Sequence, residues 1–200
     1  SAVTIPASVT EVGECAFANC PKLAPLDEIL PEKLTKVIDG VVYNADGTQI
    51  IGIRPTLSGE VRIADGITVI PQQLFADNTS ITSVILPNSI KTIEWRAFSG
   101  CTSLAQIEFP EGLLTIGDYA FSSTGLTTVV LPSTLTTFGE GVFDGCTKLA
   151  NIEDKSGKFL KVVDGIVYNA DGTQIISVLE SCTGEVHILE GVTEISEDLF

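Results

Sequence analysis

The chain has little with which to carry out chemistry. Its 200 residues contain one histidine, His187, and no H-E-x-x-H, G-x-S-x-G or P-loop pattern, so the common metal, nucleophile and phosphate frameworks are missing. His187 stands in GEVHILEG where the related segment GEVRIADG carries Arg62, which marks it as an outward strand residue rather than a general base. Basic residues are also scarce. Eleven Lys and Arg against 26 Asp and Glu leave a net charge of −15, which opposes binding to nucleic acid or anionic lipid. No apolar run approaches the roughly 20 residues needed to cross a bilayer, and no amino-terminal signal peptide is visible. None of the five cysteines forms a C-x-x-C pair, which argues against zinc or redox chemistry. Carboxylate pairs are abundant, as an acidic chain supplies by accident. The turns Asp46-Gly47 and Asp171-Gly172 lack the ligand density of a calcium loop. The expectation is a chain that is not an enzyme and holds neither metal nor cofactor.

What the chain has is repetition. The segments LPNSIKTIEWRAFSGC, FPEGLLTIGDYAFSST and LPSTLTTFGEGVFDGC follow one another, with Pro87, Pro110 and Pro132 as anchors 23 and 22 residues apart. Such a period indicates a solenoid, in which each coil buries its apolar side only against its neighbours. Around Pro110 the apolar positions are Leu104, Ile107, Phe109, Leu113, Ile116, Ala120 and Phe121. The same offsets recur around Pro6, Pro87 and Pro132, and around Ala64 and Leu189 where the proline is lost, giving six copies.

Within a coil, alternation such as Val84-Ile85-Leu86 suits a short strand, which proline then ends because it cannot donate to a ladder. The Ala-Phe pair predicts a helix of one or two turns. Acids eight residues after the anchor, at Glu14, Asp118, Glu140 and Glu197, are placed to stabilise the start of that helix. Two longer units interrupt the array: VIDGVVYNADGTQII (Val37 to Ile51) recurs as VVDGIVYNADGTQII 125 residues later. In each, VVYN or IVYN and TQII flank a glycine turn and predict a β-hairpin carried on a coil rather than a separate domain. Regular repeats are expected over 1–26, 59–152 and 184–200, with irregular units over 27–58 and 153–183, all in one solenoid cut from a longer protein.

The motif LPxSLTxIGxxAFxxCxxLxxI, well matched from Leu131 onward, resembles the BspA-type leucine-rich repeats of bacterial surface proteins, and the irregular unit resembles that family's irregular coil. The resemblance implies an α/β repeat solenoid, a β-rich right-handed superhelix with short helices. It also implies a non-catalytic adhesion or recognition role at the cell surface or in secreted form. The competing class is an accessory module of a secreted, carbohydrate-active enzyme whose catalytic domain lies outside these residues.

Cys20, Cys101 and Cys146 share one offset, with Asn78 and Thr124 at the same place in other coils. Cys101 and Cys146 are thus two coils apart, too far for a disulfide at a coil spacing of about 4.7–4.9 Å. They are expected to be reduced packing residues. Cys15 and Cys182 fall outside the column. Asn78-Thr79-Ser80 matches a glycosylation sequon, but Asn78 is read as an interior hydrogen-bonding residue.

Offsets two and four residues before each anchor must point away from the core. The first column reads Thr4, Arg62, Ile85, Glu108, Val130 and His187; the second reads Ala2, Glu60, Ser83, Gln106, Thr128 and Glu185. These residues, with Trp95 as an exposed interface candidate, form the expected binding surface of a monomer. Its mixture of apolar, hydroxyl and charged groups suits a protein, such as a host matrix or cell-surface protein, better than a sugar, which would want clustered aromatics.

Overall fold

A computed structural model describes residues 3, 5–6, 8–13, 16, 30, 34–179 and 182–195. The expectations for Ala2, Thr4, Glu14, Cys15, Phe17, Cys20, Glu197, Leu199 and Phe200 lie outside the described residues.

The strands fall into meanders and coils. First comes an antiparallel meander of β1 (Thr35–Ile38), β2 (Val41–Asn44) and β3 (Ile50–Ile53). The coils follow, alternating two kinds of strand: β4 (Gly59–Arg62), β5 (Val69–Ile70), β6 (Ile81–Ile85), β7 (Thr92–Ile93), β8 (Gln106–Glu108), β9 (Thr115–Ile116), β10 (Thr128–Leu131), β11 (Thr137–Phe138) and β12 (Asn151–Asp154). A second meander of β13 (Leu160–Val163), β14 (Ile166–Asn169) and β15 (Ile175–Val178) repeats the first.

Because each coil runs the same course, like strands stack in parallel. The two-residue strands form one sheet in the order β11-β9-β7-β5, and the longer ones form β4-β6-β8 and β10-β12. Val61, Val84 and Ile107 are in register across the longer strands, as are Val129 and Ile152. The break between β8 and β10 falls where the repeat is one residue short: Gly125 alone replaces Thr102-Ser103 of the coil before. A side chain cannot fit there, since a Cβ on Gly125 would lie 2.4 Å from the Thr102 carbonyl oxygen.

The Ala-Phe segment does not become a helix. It forms successive turns in which intra-coil bonds, such as Ala97 N–H to the Glu94 carbonyl, alternate with bonds to the next coil, such as Phe75 to Ala97 and Phe98 to Ala120. Gln73, Arg96, Tyr119 and Gly141 hold the left-handed conformation in one column (φ 52 to 57°), and Asp77, Gly100, Ser123 and Gly145 hold it in another. Periodic left-handed residues turn every second N–H toward the neighbouring coil, which a helix cannot do. The carboxylates change role accordingly: Asp118 Oδ1 accepts the N–H of Glu140 in the adjacent coil at 2.9 Å rather than capping a helix.

The core follows the sequence register. Val84, Ile107, Val129 and Leu131 are buried, with Leu86 and Phe109 half-buried against them. Phe75, Phe98, Phe121 and Phe143 stack in a column with successive centroids 4.9, 5.1 and 5.9 Å apart. Beside it, Cys101 Sγ donates to the Phe75 carbonyl at 3.0 Å and Cys146 Sγ to that of Phe121 at 3.1 Å. Both thiols are free and buried. Asn78, half-buried, donates to the Leu57 carbonyl and accepts from the Ser80 N–H.

The central strand of each meander is buried on both faces, which explains the unbroken apolar run at VVY. Val41 and Tyr43 join the main core, whereas Val42 packs with Val12, Leu30 and Leu34. In the second meander Val167 joins the main core and Tyr168 the carboxy-terminal cluster. The glycine turns form as expected, with Gly47 and Gly172 left-handed. The strand preceding each hairpin was not anticipated. It enters through Asp39-Gly40 and Asp164-Gly165, both residues left-handed, the two-residue turn that suits strand twist.

Candidate interaction surface

The ladder of longer strands gathers most of the candidate residues on one face. Arg62, Ile85 and Glu108 lie side by side in register, and Glu60, Ser83 and Gln106 form the row beside them. Val130 and Thr128 continue both rows on β10, which pairs with β12. Inward residues are buried and these point away, so Glu60, Arg62, Gln106, Glu108, Thr128 and Val130 are exposed while Ser83 and Ile85 are partly covered. Val130, 37% exposed, is among the most exposed large apolar side chains.

The face extends one strand beyond the candidate residues. Asn151 and Glu153 on β12 pair with Thr128 and Val130 and are exposed. Their signal was available in Leu149-x-x-Ile152, which repeats Leu104-x-x-Ile107, but the anchor there is Lys155 rather than proline. The Lys155 N–H donates to the Leu131 carbonyl at 3.2 Å, a bond that proline could not make.

Two candidates fall elsewhere. His187 is exposed, with Nε2 3.8 Å from Glu185 Oε1, in a stretch where no strand is formed among the described residues. Arg62 is a strand residue because β6 pairs with β4; residues 185–188 have no such parallel partner there. Trp95, 40% exposed, sits on the turn ladder. The Arg96 guanidinium lies 5.3 Å from its ring centroid and 5.8 Å from that of Tyr119, a cation held between two aromatic rings.

Little in this surface is poised for reaction. Among the described residues no group of three or more His, Cys, Asp or Glu side chains is placed to hold a metal ion. The most perturbed thiol, Cys101, is pushed up to about 12 by burial, which leaves it a protonated packing group. No helix among the described residues is long and apolar enough to cross a membrane.

Stacked parallel coils of 22 or 23 residues, with a strand ladder on one flank and a phenylalanine column within, define a leucine-rich-repeat solenoid. The family model for the BspA type leucine rich repeat region matches six copies over residues 1–59 and 68–200, and the chain belongs to that family. Similar solved structures include the pneumococcal vaccine antigen PcpA, 24% identical with a TM-score of 0.56 over 60% of this chain and 30% of that one. A leucine-rich repeat protein of Eubacterium ventriosum is 23% identical with a TM-score of 0.52, covering 66% of this chain and 42% of its own. One from Bacteroides capillosus is 23% identical with a TM-score of 0.50, covering 60% and 97%. At these identities the likeness establishes the fold alone. No curated protein matches the sequence.

Proposed function

We propose that the chain is a non-catalytic recognition module, displayed at the cell surface or secreted, that binds a protein partner as a monomer through its strand ladder. The observation that carries this reading is the alignment of two outward columns, Arg62-Ile85-Glu108 and Glu60-Ser83-Gln106, extended by Val130-Glu153 and Thr128-Asn151. A backbone fixed by inter-coil hydrogen bonds presents these side chains at constant spacing, so a partner meets a surface that needs little ordering on binding. Membership in a repeat family supports the interaction role.

The test is a fourfold variant, Arg62→Glu, Ile85→Asp, Glu108→Lys and Val130→Asp, compared with wild type against immobilised extracellular-matrix and cell-surface proteins. The expected result is at least tenfold weaker binding to every partner that wild type retains, with an unchanged unfolding midpoint. Retention by the variant, together with loss on Trp95→Ala, moves the site to the turn ladder and overturns the assignment.

A further inference from the structure

The clustered aromatics that a sugar wants are missing from the outward columns of the strand ladder and present on the turn ladder. Trp95, exposed, and Tyr119, half-buried, come from successive coils with the Arg96 guanidinium between their rings. Tyr119 lies across Gly141 of the following coil, where any side chain would strike the ring. Two carboxylates flank the cation without pairing with it: Glu94 Oε2 accepts the Gln72 N–H one coil back and Asp118 Oδ1 the Glu140 N–H one coil on, both at 2.9 Å. In a chain with 26 Asp and Glu against 11 Lys and Arg, the Arg96 guanidinium thus has no ion-pair or hydrogen-bond partner among the described residues. Both neighbouring coils are in place around the cluster, since the Gln73 N–H donates to the Trp95 carbonyl at 3.0 Å and the Tyr119 N–H to that of Glu140 at 2.8 Å.

Rings, guanidinium and carboxylates together select the ligand. The guanidinium only donates and a carboxylate only accepts, so a group that serves both must do both, as a hydroxyl does. Glu94 and Asp118 each keep a second oxygen with no partner among the described residues. An anion is opposed by Glu94, Asp118 and Glu140 on this ladder, and a cation by Arg96. A neutral hexopyranose meets all of these conditions, because one face of its ring is lined with C–H groups that pack on an aromatic ring while its hydroxyls project at the rim. A protein fits less well. Trp95 is the one large apolar side chain strongly exposed over residues 71–78, 94–101, 117–124 and 139–146, whereas a protein interface of about 800 Å² per partner is built around an apolar centre.

We infer that Trp95 and Arg96, with Glu94 and Asp118, form a second binding site, for a neutral hexopyranose unit of a glycan. Trp95 packs on the C–H face of the sugar, the Arg96 fork donates to adjacent hydroxyl oxygens, and the free oxygens of Glu94 and Asp118 take hydroxyl protons. Tyr119 is a positioning residue: with Trp95 it holds the guanidinium in place before the sugar arrives, so little ordering is left to be done on binding. The site shares no residue with the strand ladder and is independent of it.

Trp95 is the single tryptophan of the chain, so its fluorescence reports on the site directly. The full chain is titrated with hexasaccharides of β-1,4-linked glucose, mannose and N-acetylglucosamine, and with the hexamer of galacturonate as the anionic counterpart. At least one neutral hexamer is expected to change the Trp95 emission saturably, and the galacturonate hexamer to bind at least tenfold more weakly. Arg96→Lys keeps the charge and loses the paired donors at an exposed position; it should weaken the neutral ligand at least tenfold with thermal unfolding unchanged. The fourfold strand-ladder variant should bind that ligand as wild type does, which separates failure of this site from failure of the ladder. The inference is overturned by no response to any neutral hexamer, by galacturonate binding as tightly, by undiminished affinity in Arg96→Lys, or by loss of sugar binding in the ladder variant. Emission that responds to an extracellular-matrix protein and to no hexamer makes the cluster a protein contact and equally overturns it.

Discussion

The hydroxyl of Tyr43, in the middle of the first meander, accepts the backbone N–H of Ala64 at 3.0 Å. Ala64 occupies an anchor position that is proline in the next three coils, and the second meander repeats the arrangement with Tyr168 and Leu189 at 3.4 Å. The two missing prolines are therefore functional absences: the N–H that proline lacks ties each meander to the coil that follows. Replacing Ala64 by Pro restores the repeat pattern yet should destabilise the fold by about 1–3 kcal/mol, because a buried hydroxyl loses its donor. Tyr43→Phe should cost a similar amount by orphaning the N–H. The double variant should lose less than the sum of the two in urea unfolding, and strict additivity would count against the pairing.

Phe121 lies between Phe98 and Phe143 in the ring column and meets Phe109 edge-on at 5.4 Å. Phe121→Ala should cost about 3–5 kcal/mol. Calorimetry that finds a loss below 1 kcal/mol would show that the neighbouring coils close over the gap.

Gly125→Ala sets a Cβ against the Thr102 carbonyl, so backbone must move at the one place where the repeat is shortened. Overpacking of this kind costs about 1–3 kcal/mol. Gly13→Ala, where nothing lies within 4 Å, is the control and should be close to neutral. Comparing the two unfolding midpoints decides the point.

The buried thiols set the alkaline limit. Burial pushes Cys101 from 9.0 up to about 12, with Asp77 adding to it and a backbone hydrogen bond from Asn78 opposing, and burial also raises Cys146. A folded pKa above the unfolded one means that the neutral thiol's contribution is complete below about pH 9 and is lost as pH rises toward 12. Thermal midpoints should fall across that interval, and less so in the Cys101→Ala, Cys146→Ala variant when each is normalised to its value at pH 8. At pH 8, mass mapping after iodoacetamide should find Cys182 labelled while Cys101 and Cys146 remain unmodified until denaturant is added.

The core was legible because apolar offsets repeat independently of what fills the surface; Val84, Ile107 and Phe121 could be placed from any one coil. The short helices were misread because Ala-Phe beside glycine or an acid looks helical locally. What decides the outcome is non-local: N–H groups such as that of Phe98 are claimed by the next coil. Asn151 and Glu153 escaped notice for a similar reason, since the register was hung on proline and Lys155 performs the anchor's task through a different bond. The outward columns on β4, β6, β8 and β10 were readable from strand alternation alone.

Inter-coil hydrogen bonding also has a mechanical consequence. A chain pulled from its two ends would not face every bond between coils at once; the outermost coil would peel first and load the next. Each coil released pays out about 23 residues, or roughly 76–83 Å of contour at about 3.3–3.6 Å per residue. Such an array should lengthen one coil at a time, so that force spectroscopy on the chain is expected to show repeated extensions of this size rather than a single one.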